Sequence, residues 1–122
     1  MRLYISGPMT GIPNNNREAF LECEKRLIDD GFNPENIVNP AKLDEDDVRK
    51  SWEDYLRRDL KILLDCQAII LLDGWHRSHG ALLEFQLASR LDMKWFFYDN
   101  YLAGMYKDHP IFGGNNDSML AS

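Results

Sequence analysis

The chain has 122 residues, a length that fits one compact domain and leaves too few residues for a second. Of these residues 44% are hydrophobic, which is enough to form a core. Its formal net charge of −6 at pH 7 argues against a nucleic-acid polymer as partner, because proteins that bind such polymers usually present a basic face. The N-terminus lacks the apolar core of a signal peptide, and no apolar stretch approaches the length of a membrane span. We therefore expect a cytoplasmic protein without membrane association.

Apolar runs of strand length alternate along the chain with segments of helical periodicity. In chain order they predict a strand at 3–5, a helix at 17–30, a strand at 37–38, a helix at 51–66, a strand at 68–72, a helix from residue 80 and a strand at 95–98. This alternation predicts a doubly wound α/β domain, with parallel strands ordered 2-1-3-4 by right-handed crossovers and room for a fifth strand. We expect residues 1–100 to form this domain and residues 101–122 to form a C-terminal extension, helical to about Lys107 and partly mobile beyond it.

Glu84 is a carboxylate within the apolar face of a predicted helix. At about 100° per residue, the helix from Gly80 places Ala81, Phe85 and Ala88 on one arc, and Glu84 lies on the same arc. An unpaired buried carboxylate costs several kcal/mol or takes up a proton, so Glu84 needs a partner or a function. The alternative is that Glu84 lies at the rim of the arc and reaches water.

Asp59 is a second carboxylate on an apolar helical stripe, which it shares with Trp52 and Tyr55. Two consecutive helices therefore each direct a carboxylate toward the sheet. Neighbouring carboxylates push their pKa values apart, which leaves one as a nucleophile and the other as an acid. Enzymes that cleave glycosidic bonds use this arrangement, so the pair predicts a catalytic site.

Two loops rich in glycine and polar residues follow the first and third strands. Ligands of doubly wound sheets bind at this edge, where the carboxyl ends of the strands meet near the switch point. The residues that follow the two strands are Ser6, Gly7, Pro8, Asp73, Gly74 and Trp75. The segment that continues through Arg77 and Ser78 to Gly80 leads cationic side chains into a helix N-terminus, which favours a phosphate ligand. The alternative is a solvated turn with Trp75 packed on the surface.

No metal and no cofactor are expected. His76, Arg77 and His79 have no acidic or cysteine companion at the spacing of metal ligands, and the Walker and dinucleotide-binding fingerprints are both absent. Cys23 and Cys66 fall in predicted helices, and we interpret both as small core residues.

Three motifs together resemble the nucleoside 2-deoxyribosyltransferase superfamily, above all its small phage and bacterial members. The motifs are Tyr4-Ile5-Ser6-Gly7-Pro8-Met9-Thr10-Gly11, Asp59 and Ser78-x-Gly80-x-x-x-Glu84. The similarity runs from residue 2 to about residue 98, and the joint pattern is more specific than any one motif. The resemblance implies a flavodoxin-like fold, cleavage of an N-glycosidic bond, and a homodimer or higher assembly in which a neighbouring subunit completes the active site.

The resemblance also assigns roles to individual residues. Glu84 matches the nucleophile that attacks C1′ of the sugar and forms a covalent glycosyl-enzyme. Asp59 matches the acid that contacts or protonates the departing base, and Tyr4 matches the tyrosine that orients the nucleophile. The loop after the first strand, which includes Met9, is implied to touch base and phosphate.

The residue at position 78 divides the superfamily by substrate. Transferases that act on free nucleosides commonly carry an aspartate there, whereas hydrolases of nucleoside 5′-monophosphates resemble this chain in carrying serine. An aspartate would repel a phosphate dianion, while Ser78 can donate a hydrogen bond to it. The resemblance therefore favours a 2′-deoxynucleoside 5′-monophosphate N-hydrolase that releases free base and 2-deoxyribose 5-phosphate.

Other site residues and other functions remain open at this point. Thr10 stands where some of these hydrolases place an arginine on the phosphate, so either Arg17 or Arg77 takes its place or the affinity for phosphate is weak. Trp75 is a candidate for stacking on the base. One alternative function is a 2-deoxyribosyltransferase that acts on free nucleosides, and another is a non-catalytic protein that binds and sequesters a nucleotide.

Overall fold

A computed structural model describes residues 1–43 and 51–112 of the chain. The elements, in order, are β1 (Leu3–Ser6), α1 (Arg17–Asp29), β2 (Ile37–Val38), α2 (Pro40–Leu43), α3 (Trp52–Leu63), β3 (Ala68–Leu71), α4 (His79–Arg90), β4 (Lys94–Phe97) and α5 (Tyr98–Leu102). Short 3₁₀ turns lie at Pro13–Asn16, Pro34–Asn36, Trp75–Arg77 and Pro110–Phe112. None of the helices in the described part of the chain is long and apolar enough to cross a membrane.

The four strands form one parallel sheet in the order β2-β1-β3-β4, which confirms the predicted α/β fold and strand order. Tyr4 of β1 is in register with Ile69 of β3, and Ile69 is in register with Trp95 of β4. The two central strands are buried along their whole length, as expected of apolar runs covered on both faces. Within residues 1–43 and 51–112 the sheet contains no fifth strand.

Alternation along β1 sends its side chains to two separate clusters. Leu3 and Ile5 pack with α1 on one face of the sheet, whereas Tyr4 belongs to the cluster of the other face, with α3 and α4. Ser6 follows Tyr4 at the same period of two. β1 therefore presents two hydroxyl groups to the face that carries both predicted carboxylates.

Matching serine caps start the two helices of this face. Ser51 Oγ accepts the backbone N–H of Asp54 at 3.2 Å, and Ser78 Oγ accepts that of Ala81 at 3.2 Å. The predicted start of this helix near residue 51 is confirmed, but α3 ends at Leu63 rather than near Cys66. Cys66 lies in the tight connection to β3 and is buried there, as is Cys23 in α1.

The segment after β4 packs onto the α1 side of the sheet. Ile111 is buried in that cluster, and the Phe112 ring lies 4.6 Å from the ring of Phe96 between centroids. The helix of this segment, α5, ends at Leu102 and not near Lys107. The C-terminal extension is thus packed as far as Phe112. Residues 113–122, the rest of the segment predicted to be mobile beyond Lys107, lie outside the described residues.

Candidate active site

Glu84 lies in the second turn of α4, under two hydroxyl groups from β1. The Tyr4 hydroxyl donates to Oε2 at 2.5 Å, and the Ser6 hydroxyl donates to Oε1 at 2.7 Å. Tyr4 and Ser6 are fully buried, and Glu84 is 6% exposed. The predicted contact between Tyr4 and Glu84 is present, and the alternative of a water-exposed Glu84 at the helix rim is wrong.

The pKa of Glu84 is raised to about 7, chiefly by burial and in smaller part by the negative charge of Asp59, while the hydrogen bonds from Tyr4 and Ser6 oppose the shift. Burial and the neighbouring Glu84 also hold the pKa of Tyr4 well above its usual value, so Tyr4 remains a hydrogen-bond donor. The Glu84 carboxyl group therefore changes its charge near neutral pH.

A cavity of about 440 Å³ opens above Glu84, at the carboxyl ends of β1 and β3. This volume lies in the range of small-molecule sites. Both predicted carboxylates, Glu84 and Asp59, line it. The other lining residues are Tyr4, Gly7, Met9, Thr10, Asn15, Phe20, Pro40, Trp52, Tyr55, Leu56, Ser78, Gly80 and Ala81.

Asp59 reaches the cavity from α3 in the company of Arg58. Two guanidinium nitrogens of Arg58 contact Asp59 Oδ1, Nη2 at 2.8 Å and Nε at 3.0 Å. The Arg58 guanidinium also lies 5.3 Å from the centre of the Tyr55 ring, within the range of a cation–π contact. This pairing was not predicted, because consecutive residues of a helix do not normally face each other.

The loop after β1 packs closely against Leu72, which follows β3, because Gly7 has no side chain. A Cβ atom at Gly7 would lie 2.8 Å from Leu72 Cβ, a distance that ordinary packing does not allow. The backbone can therefore pass close to Leu72 at Gly7, and the next part of the loop contributes Met9 and Thr10 to the cavity lining. Asn15, which also lines the cavity, has a left-handed backbone with φ of 53°.

A family model described as a domain of unknown function, DUF4406, matches residues 1–97. The chain belongs to the DUF4406 family. The match spans all four strands and every described residue that lines the cavity. Comparisons with curated proteins and with solved structures gave no match.

Several predicted binding residues of this DUF4406 protein lie outside the cavity lining. Arg17 is engaged elsewhere, since its Nη1 donates to the Ala41 carbonyl at 2.8 Å. The Trp75 ring packs between Phe85, at 4.8 Å, and Phe97, at 5.8 Å, in agreement with the alternative of a packed tryptophan. The remaining predicted residues outside the lining are Ser6, Pro8, Asp73, Gly74 and Arg77. Of these, Ser6 still reaches the site through Glu84.

The DUF4406 cavity also has an apolar wall on α3 that sequence reasoning did not assign to the site. Trp52, Tyr55 and Leu56 form this wall, and Trp52 is 46% exposed. The signal was present in the apolar stripe of α3, which we interpreted as facing the core. The stripe is longer than the core contact requires, and its first turn borders the cavity instead.

Proposed function

We propose that this protein hydrolyses the N-glycosidic bond of a 2′-deoxynucleoside 5′-monophosphate through a covalent glycosyl-Glu84 intermediate. The proposal rests above all on Glu84, a carboxylate held at both oxygens by buried hydroxyl groups and bordering a cavity that Asp59 also lines. Burial of this carboxylate costs free energy of folding, and a purely structural role would not explain why that cost is tolerated. The resemblance to the nucleoside 2-deoxyribosyltransferase superfamily supports the same roles for Tyr4, Asp59 and Glu84.

The proposed reaction has two steps that exchange one water molecule for the base. An oxygen of ionised Glu84 attacks C1′, the C1′–N bond breaks, and its electron pair leaves with the base, which takes up one proton. Water then attacks C1′, the C1′–O bond to Glu84 breaks, and the water gives up one proton. Tyr4 and Ser6 fix the two oxygens of Glu84, so the nucleophile is oriented before the substrate binds.

Ser78 is the side chain that we assign to the phosphate. It lines the cavity at the N-terminus of α4, where the backbone amides near Gly80 and the helix dipole also favour an anion. The Ser78 oxygen accepts a hydrogen bond from the Ala81 amide, and its own hydrogen can be donated to a phosphate oxygen.

Ser78→Ala and Ser51→Ala separate this role from helix capping. Each substitution removes a cap of the same geometry, so each is expected to lower the free energy of unfolding by about 1 kcal/mol. Only Ser78→Ala is expected to raise KM for a nucleoside 5′-monophosphate, by roughly 10- to 100-fold, because a hydrogen bond to a charged group is lost. An equal rise in KM for Ser51→Ala would show that Ser78 acts only as a cap.

A second candidate function is a 2-deoxyribosyltransferase acting on free nucleosides. Among the described lining residues, the charged side chains are the carboxylates Asp59 and Glu84, which favours a substrate with a neutral 5′-hydroxyl group. The two functions differ in the acceptor of the sugar, which is water in the first and a second base in the other.

A panel of 2′-deoxynucleosides, with and without a 5′-phosphate, tests both functions in one assay of base release. Hydrolysis predicts free base and 2-deoxyribose 5-phosphate from the phosphorylated series. Transfer predicts base exchange only when an acceptor base is added. No release from any member, together with intact nucleotide in the purified protein, would overturn both functions and favour the sequestering protein.

We also propose that the chain forms a homodimer, through the outer surface of α3 and α4. Leu64, Leu83 and Leu91 are exposed on or beside these helices, and contact with a second copy would remove their apolar side chains from water. Trp52, in the first turn of α3, is also exposed, and it lines the cavity. Sedimentation equilibrium that gives only monomer at high micromolar concentration would contradict the proposal. The cytoplasmic location stays a prediction.

A further inference from the structure

Among the described lining residues, the α3 wall of the cavity combines aromatic and aliphatic side chains with one carboxylate. Trp52, Tyr55 and Leu56 supply the apolar part, and Asp59 supplies the charge. A nucleobase has the same two features, a flat ring and a polar edge, and small-molecule sites usually pair an apolar lining with a few placed polar groups. If the sugar is bound at Glu84, the α3 wall is one surface available to the base, opposite in kind to the polar loop after β1.

Helix geometry alone does not bring the side chains of Arg58 and Asp59 together. Neighbouring residues of a helix diverge by about 100°, so the Arg58 side chain must fold back to bring both of its nitrogens to Asp59 Oδ1. The Tyr55 ring supports the guanidinium in this position. Both side chains are largely buried, Arg58 at 17% and Asp59 at 14% exposure, so the pair is held in one arrangement.

The Arg58 guanidinium, with Nη2 2.8 Å and Nε 3.0 Å from Asp59 Oδ1, favours the ionised form of Asp59. An ionised carboxylate can only accept hydrogen bonds. A group of the base that faces Asp59 must therefore donate a hydrogen bond, and a carbonyl oxygen placed there would meet like partial charge.

We propose that Asp59, positioned by Arg58, makes the site selective for nucleobases that carry an exocyclic amino group over bases that carry an oxo group at the same position. This inference rests on the proposed function, because it names the substrate class of the same cavity. Asp59 is the residue that contacts the base, and Arg58 is a positioning residue that acts through Asp59.

Matched pairs of bases test the selectivity. Adenine is compared with hypoxanthine and cytosine with uracil, each as the 2′-deoxynucleoside and as its 5′-monophosphate. Two ratios are measured: kcat/KM for the wild-type protein, and the dissociation constant for Glu84→Gln, which binds without cleaving. We expect the amino member of each pair to be favoured by roughly 10- to 100-fold in both ratios, as for one hydrogen bond to a charged group.

Variants of α3 test whether the Arg58–Asp59 pair causes the preference for the amino member of each pair of bases. Asp59→Asn is expected to bring the ratio close to 1, because an amide can donate as well as accept. Arg58→Gln is expected to reduce the ratio. Arg58→Lys keeps the positive charge but loses the paired N–H groups of the guanidinium, so we expect it to reduce the ratio less. The matched controls are Asp54→Asn and Arg57→Gln, which break an exposed pair of the same chemistry on the same helix, 3.3 Å apart. These controls are expected to leave the ratio unchanged.

The outcomes separate this inference from the proposed function. Cleavage with a ratio near 1 in the wild-type protein, or a preference for the oxo member, overturns the inference and leaves the hydrolase standing. An equal effect of Asp54→Asn and Asp59→Asn also overturns it. Absence of cleavage with an amino preference in binding overturns the hydrolase and supports the inference, whereas absence of both cleavage and binding overturns both.

Discussion

Glu84→Gln is expected to lower kcat by about 10⁴-fold or more, the scale of loss when a covalent nucleophile is removed. The amide has nearly the same shape, and it can still accept from one β1 hydroxyl and donate to the oxygen of the other. Substrate binding should therefore persist while turnover stops. Base release and substrate affinity, measured on the same preparation, check both halves of this prediction.

Two further variants make the loss at Glu84 specific. Asp59→Asn is expected to reduce kcat less, by about 10²-fold, since it removes the carboxylate that contacts the base but not the nucleophile. Glu22→Gln changes an exposed glutamate on α1, on the opposite side of the sheet, and should leave kcat unchanged. A Glu84→Gln protein that keeps a tenth or more of wild-type kcat would remove Glu84 from the chemistry.

The second large effect concerns stability, because the raised pKa of Glu84 makes folding depend on pH. The folded-state pKa of about 7 exceeds the ordinary glutamate value of 4.5, so the folded protein holds the Glu84 proton more tightly than the unfolded chain does. Below pH 4.5 both states are protonated, and the full contribution of the neutral group to stability is present. Between pH 4.5 and 7 stability falls, by about 3 kcal/mol in total, and above pH 7 the loss is complete.

Chemical denaturation of wild-type protein and Glu84→Gln at several pH values measures this contribution. Glutamine has no charge to desolvate. The free energy of unfolding of the variant, relative to that of the wild-type protein, should therefore rise steadily from pH 4.5 to 7, and this difference should stay constant above pH 7. Glu22→Gln, at an exposed position, should show no such gap. A difference between wild type and Glu84→Gln that does not vary with pH would show that Glu84 is not desolvated in the folded protein.

The sheet was predictable because its strands carry their own signal. Continuous apolar runs such as residues 68–71 belong to strands covered on both faces, and right-handed crossovers then leave few orders for four strands. The end of α3 at Leu63 was less predictable, because the apolar residues continue from the helix through the turn to Cys66 and into β3. The packing of Ile111 and Phe112 was also missed, since short apolar pairs in a loop carry no periodic signal.

The two carboxylates of the cavity were predictable from the sequence, whereas its α3 wall was not. Glu84 and Asp59 each break an apolar helical pattern, so sequence alone marks them. Arg58 breaks no pattern, and only the folded side chain brings its guanidinium to Asp59. Trp75 was expected at the cavity because its loop was predicted to border the ligand site. Its large apolar ring packs instead against Phe85 and Phe97. A loop can be placed from sequence more readily than the direction of one side chain within it.

The central claim, a covalent bond between Glu84 and C1′ of the sugar, is tested most directly by trapping that bond. A 2′-deoxy-2′-fluoro nucleotide carries an electron-withdrawing fluorine that slows both steps, and the second can then limit turnover. Mass spectrometry of the intact protein should show a gain equal to one fluorinated sugar phosphate, located after proteolysis on the peptide that contains Glu84. Glu84→Gln should show no gain. Base release without an adduct, or an adduct on a peptide that lacks Glu84, would contradict the account.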